Sequence, residues 1–202
     1  MPRTIGGASK WAAAMQASGM GQSQRGIVME FEFGMKFKIG AEGTDSRELV
    51  ERLGEAGCDD AVIGTGQPGR IALNFTREAR SVKGAIISAL RDVKRAIPDA
   101  ELIEVTPDFV GLTDVAELVG VSRQNMRKLM LAYPTTFPAP VHEGSASVWH
   151  LAHVLQWLTD RGDYAIKKPL LDVATVAMQI NLVKEARGLD APVQKEVRAL
   201  VA

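Results

Sequence analysis

Between Leu112 and Leu129 the chain reads Leu-Thr-Asp-Val-Ala-Glu-Leu-Val-Gly-Val-Ser-Arg-Gln-Asn-Met-Arg-Lys-Leu, an order that few backbone paths can satisfy. Thr113 is placed to cap a first helix by accepting from a backbone N–H of its first turn. Asp114 suits the positive end of that helix. Val115, Ala116, Leu118 and Val119 form an apolar stripe, and Ala116 is small where a second helix would cross closely. Gly120 permits the positive φ that ends the helix. Val121 then fills the corner and Ser122 caps a second helix, whose inner face is Met126, Leu129 and Met130 at helical spacing. Two short helices joined by a tight turn are a helix-turn-helix.

The second helix carries Arg123, Gln124, Arg127 and Lys128 outward, with Asn125 beside them. Arginine pairs with the guanine O6/N7 edge, and glutamine or asparagine with adenine N6/N7. Serine and lysine hold phosphates. Recognition helices meet bases through their N-terminal residues, which is where Arg123, Gln124 and Arg127 stand. The same pattern also suits an ordinary helical hairpin with a solvated polar face.

The next thirty residues extend the reading. Tyr133-Pro-Thr-Thr-Phe-Pro-Ala-Pro-Val141 holds too much proline for a helix, so the chain leaves extended. His142–Ser147 is a small polar turn between Val141 and Val148, the form of a two-stranded wing. Trp149 to Leu158 resumes helical spacing, with Leu151, Val154, Leu155 and Leu158 inward. The helix pair, Phe137-Pro138-x-Pro140-Val141, and Trp149-x-Leu151-x-x-x-Val154-x-x-Trp157-Leu158 together resemble the winged helix of the MerR superfamily, of the AlpA and excisionase type. The resemblance covers about a quarter of the chain. It implies a recognition helix in the major groove and a wing on the flanking backbone or minor groove. The DNA-contacting set expected on these grounds is Thr113, Ser122, Arg123, Gln124, Asn125, Arg127 and Lys128, with His142, Ser145 and Ser147 of the wing. MerR regulators usually carry this module at the N-terminus, whereas here it follows a separate domain. Residues 112–163 hold four Lys or Arg against five Asp or Glu. Counterion release rewards clustered cations, so one copy should bind weakly and a homodimer would compensate.

A chain of 202 residues with 46% hydrophobic residues and zero net charge has the composition of a soluble globular protein of one or two domains. Its single cysteine, Cys58, excludes an internal disulfide and fits a reducing compartment. No run approaches the ~18 apolar residues of a membrane span, and the N-terminus lacks a secretion signal's apolar core. The expected location is the cytoplasm. Residues 1–28 carry three basic residues and no acidic ones, the composition of a flexible arm or of a dispensable extension. Residues 29–110 hold eleven basic against fifteen acidic residues, an unpromising surface for DNA.

In that segment Phe31, Phe33, Met35, Phe37 and Ile39 alternate with polar residues or glycine, the period of a half-buried strand. Asp45 or Ser46 opens a helix through Glu55, with Leu49, Val50 and Leu53 inward and Gly57 as its stop. Ala61–Ile63 and Arg70–Phe75 read as paired strands around the Gly64–Gly69 loop. Ser81 caps a helix over Val82–Ile97, and Leu102–Val105 is a last strand. The order β-α-β-β-α-β predicts a four-stranded antiparallel sheet with both helices on one face, the ferredoxin-like arrangement. The fold class expected is thus α+β: a ferredoxin-like domain (29–110), a winged helix-turn-helix (111–163) and C-terminal helices (164–202).

Gly64-Thr-Gly-Gln-Pro-Gly69 spells G-x-G-x-x-G, but a dinucleotide site needs a helix directly after it, and a strand-like run follows. Cys58-Asp59-Asp60 reads as solvated acids. His150 and His153 lie one helical turn apart without a third ligand at a recognisable spacing, so neither metal nor cofactor is expected. No nucleophile–base grouping or acid pair stands out, and enzymatic activity is not expected. Finally, Pro169 opens an apolar helix over Leu170–Arg187, capped by Gly188, and a shorter one runs to Val201 with Val193, Val197 and Leu200 inward. Leu170, Leu171, Val173, Val176, Ala177, Ile180 and Val183 exceed what a solitary helix exposes, so this segment packs on its own chain or on a second copy, the latter being preferred here. The expectation is a sequence-specific double-stranded DNA-binding regulator of bacterial or phage type acting as a homodimer. An interaction adaptor of antitoxin-like or phage-packaging kind and a ligand-sensing repressor are the alternatives.

Overall fold

The computed structural model describes residues 28–40 and 45–201, and the basic arm expected before Val28 lies outside them. The protein is a mixed α+β molecule. β1 (Met29–Lys38) leads to α1 (Ser46–Leu53), a π-helical turn (Gly54–Cys58), β2 (Ala61–Gln67), β3 (Arg70–Ala79), α2 (Val82–Ala96) and β4 (Glu101–Thr106). These strands form one antiparallel sheet in the order β2-β3-β1-β4. Asp45 caps α1 by accepting from Arg47 N–H, and Ser81 caps α2 by accepting from Gly84 N–H. β2 and β3 outlast their apolar cores and meet at a tight turn in which Gly69 takes φ +72°. The G-x-G-x-x-G spelling is therefore hairpin, followed by a strand.

Alternate residues of β1 and β3 build the first core. Phe33 lies opposite Phe75 in register, and their rings stack at 5.1 Å. Phe37, Leu73, Leu53 and Ile86 are fully buried around them, each contributing on the order of 1.5–3 kcal/mol. Val50, expected inward, is 41% exposed, because the buried line of α1 runs through Leu49 and Leu53 alone. Of the two acids at Asp59-Asp60, Asp59 is exposed as expected and Asp60 differs. Asp60 holds Arg77 through 2.6 and 2.9 Å bonds, and Asp92, Ser88 and the Gly57 carbonyl accept its remaining donors. Burial opposes the Arg77 charge, but the Asp60 and Asp92 hydrogen bonds hold its pKa above the ordinary arginine value.

The chain continues as β5 (Phe109–Val110), α3 (Leu112–Val119), α4 (Arg123–Ala132), β6 (Trp149–His150) and α5 (Leu151–Arg161). Trp149, expected to begin a helix, is instead in a strand paired with Val110, and the helix starts at Leu151. Leu151, Val154, Leu155 and Leu158 are all buried in a second core with Val115, Ala116 and Met126.

α6 (Lys168–Ala186) joins the two cores. Leu170 and Ala174 belong to the second, and Val173 and Ala177 to the first. The surface that suggested a second copy is thus largely covered within the chain, although Val183 stays 64% exposed. α6 also covers the open edge of β4, whose unpaired backbone groups would otherwise invite another strand. Asn181 accepts from Val105 N–H and donates to Val105 C=O, both at 2.8 Å, and Lys184 donates to Ile103 C=O. α7 (Ala191–Val201) has no buried residue, and Val193, Val197 and Leu200, expected inward, are exposed among the described residues. Among the described residues no helix is long and apolar enough to cross a membrane.

Candidate nucleic-acid interface

Gly120 ends α3 in the left-handed region at φ +79°, and Val121 N–H donates to Ala116 C=O across the turn. This six-residue closure satisfies a carbonyl that the helix end leaves open. Ser122 follows in extended conformation, and its hydroxyl accepts from Asn125 N–H at 3.2 Å. α3 and α4 are therefore set by the turn chemistry that the sequence displays. The start of α3 is a correction: Gly111, not Thr113, is the capping position, because the helix begins at Leu112. Asp114 reaches back to accept from Gly111 N–H at 2.8 Å, and Thr113 is simply exposed.

Met126 is the fully buried residue of α4, flanked by partly buried Leu129 and Met130. Opposite them, Arg123, Gln124, Asn125, Arg127 and Lys128 are all exposed. None of the three cations is held in an ion pair among the described residues. The fourth cation of this region, Arg161, differs. It stacks on Tyr133 and Trp157, at 4.1 and 5.0 Å from the ring centres, and bonds to Asp163. Arg161 is a structural group that closes the base of α4.

The proline-rich stretch after α4 is held by aromatic packing. Phe137 inserts between Trp149 and Trp157, at 6.3 and 5.1 Å between ring centres, and Trp149 Nε1 donates to Pro138 C=O at 3.0 Å. The wing is shorter than expected. A single bridge joins His142 to Val148, and Glu143–Ser147 is a turn without strand pairing. Gly144 and the small serines leave too little side chain on either arm to stabilise a longer ladder. His142 and Ser145 are exposed and Ser147 is half-buried.

His150 is committed elsewhere. Its Nδ1 lies 2.6 Å from Asp108, whose other carboxylate oxygen accepts from Asn181 at 2.7 Å. Asp108 C=O also accepts from Leu151 N–H at the start of α5. This buried trio ties the β4–β5 connection, α5 and α6 together. Asp108 and Asn181 have no periodic signature in the sequence. The one signal was an Asn on the apolar side of a helix, which requires a partner when buried. Leu131 was also missed: it is 61% exposed on α4 although its type suggests core.

No protein-family model, curated protein or solved structure matches this chain.

Proposed function

We propose that this chain is a sequence-specific double-stranded DNA-binding protein, a transcriptional regulator of bacterial or phage type that acts as a homodimer. The observation that carries the reading is the outward face of α4, with three cations that have no ion pair among the described residues and two carboxamides, on a helix positioned by a Gly120–Ser122 turn. In this reading α3, α4 and the His142–Val148 bridge form a winged helix-turn-helix of the MerR-like, AlpA type. Arg123, Gln124 and Arg127 read base edges in the major groove. Ser122, Asn125, Lys128, His142 and Ser145 meet the backbone. Thr113, exposed at the start of α3, is placed for a phosphate. The βαββαβ order with strand order β2-β3-β1-β4 supports a ferredoxin-like front domain.

A specific observation favours a second reading, an interaction adaptor that uses DNA as a docking site. Val193, Val197, Leu200 and Val201 of α7 are 45–79% exposed, and α7 buries no residue among the described residues. The test is selection of bound duplexes from a random library, followed by sedimentation of the protein–DNA complex. An inverted repeat bound by two chains is the expected result. An asymmetric site bound by one chain would favour the adaptor, and recovery of no enriched sequence would overturn sequence-specific binding.

A further inference from the structure

We infer that Leu131 is a base-reading residue that packs against the C5-methyl group of a thymine. The inference rests on the DNA-binding reading above and adds a contact of a different chemistry to it. Along α4, each residue turns about 100° from the last. Met126, Leu129 and Met130 fix the direction of the core. Leu131 falls almost opposite that direction, one turn beyond Arg127 and two turns beyond Gln124, with Lys128 at its flank. It is therefore on the centre line of the polar face rather than at its edge. Its side chain is 61% exposed. Gln124, Arg127 and Lys128, its neighbours on this face, are exposed as well.

A duplex docked on Gln124 and Arg127 brings its major-groove floor over this line. The groove presents one apolar group, the thymine methyl, and aliphatic side chains meet it by contact. Leucine in water contributes nothing there, but against a methyl it removes apolar surface from water on both partners. The exposure of Leu131 is thus accounted for by a ligand that is apolar at one atom and polar around it, one helical turn beyond the contact of Arg127.

The experiment uses the full chain and the duplex it selects from a random library. Each thymine is replaced singly by uracil, which keeps the pairing and removes only the methyl. The wild-type chain is expected to bind about fourfold more weakly at one such position, the equivalent of one methyl-sized group. Leu131→Ala is expected to bind the thymine duplex weakly to the same degree and to lose all thymine-over-uracil preference there. Because Leu131 is exposed and alanine favours helix, its thermal midpoint should match the wild type. Equal thymine preference in the variant and the wild type would overturn the assignment. Wild-type indifference to uracil at every thymine would do the same while leaving DNA binding intact. Failure of the wild type to bind any duplex would remove the DNA reading and this assignment together.

Discussion

The guanidinium groups of Arg123 and Arg127 stand in solvent with no carboxylate among the described residues holding them, so a polyanion would meet them at full charge. Lys128 shares that freedom but offers a point charge rather than a planar fork. Lys128→Ala is therefore expected to weaken binding about equally on all sequences and to reduce the salt slope by about one. Affinity titrations at several salt concentrations measure both. Cys58 illustrates the opposite treatment of a side chain. Burial, and next the Asp92 charge, push its thiol up to about 11. The folded chain thus keeps a proton that the unfolded chain releases, so stability falls as pH rises through the interval from the ordinary thiol value of 9.0 to about 11. Native protein at pH 8 should resist iodoacetamide and react only after denaturation, as mass spectrometry of the adduct would show. Rapid native labelling would contradict the packing around Cys58.

At the scale of elements, the turn between α3 and α4 depends on Gly120. A Cβ there meets nothing within 4 Å, so the constraint is the backbone, held at φ +79°. Gly120→Ala should destabilise by about 1–2 kcal/mol, readable as a lowered urea midpoint, and Gly120→Asn should cost less. That turn was legible in the sequence because glycine and serine act locally, through φ and through a cap. The strands of the front domain were legible for a related reason: Phe31 to Ile39 repeat at the period of two. Elements whose limits depend on distant partners were not. Trp149 looks helical by spacing, yet it pairs as a strand with Val110, a neighbour 39 positions earlier in the chain. Thr113 resembles a cap, but Asp114 satisfies the Gly111 N–H first and moves the helix start. The wing is one bridge because its residues supply little cross-strand contact, a quantity that turn composition does not report.

On the scale of the whole molecule, α6 makes one body of two cores. Its covering of both was not legible, since a helix apolar on several sides reads equally as a dimer contact. Contacts made in the folded chain, such as those of Asn181 with Val105 and Asp108, show which surface it meets. Urea unfolding should give coincident transitions by far-UV circular dichroism and by tryptophan fluorescence, which Trp149 and Trp157 lend to the second core. Asn181→Ala strands Val105 N–H and takes one of its two partners from the buried Asp108 carboxylate, so a loss of about 3 kcal/mol and separation of the two transitions are expected. Separate transitions in the wild type would contradict the shared-helix account. The front domain and α4 then move together, and the proposal assigns DNA contact to the outward face of α4. Fluorescence anisotropy on the selected duplex tests that most directly, comparing Arg123→Ala and Arg127→Ala with Arg47→Ala, a control on α1 already paired with Glu51. The two α4 changes are predicted to weaken binding by about 1–3 kcal/mol each, roughly five- to 150-fold, and the control not at all. Wild-type affinity in both α4 variants would contradict the account.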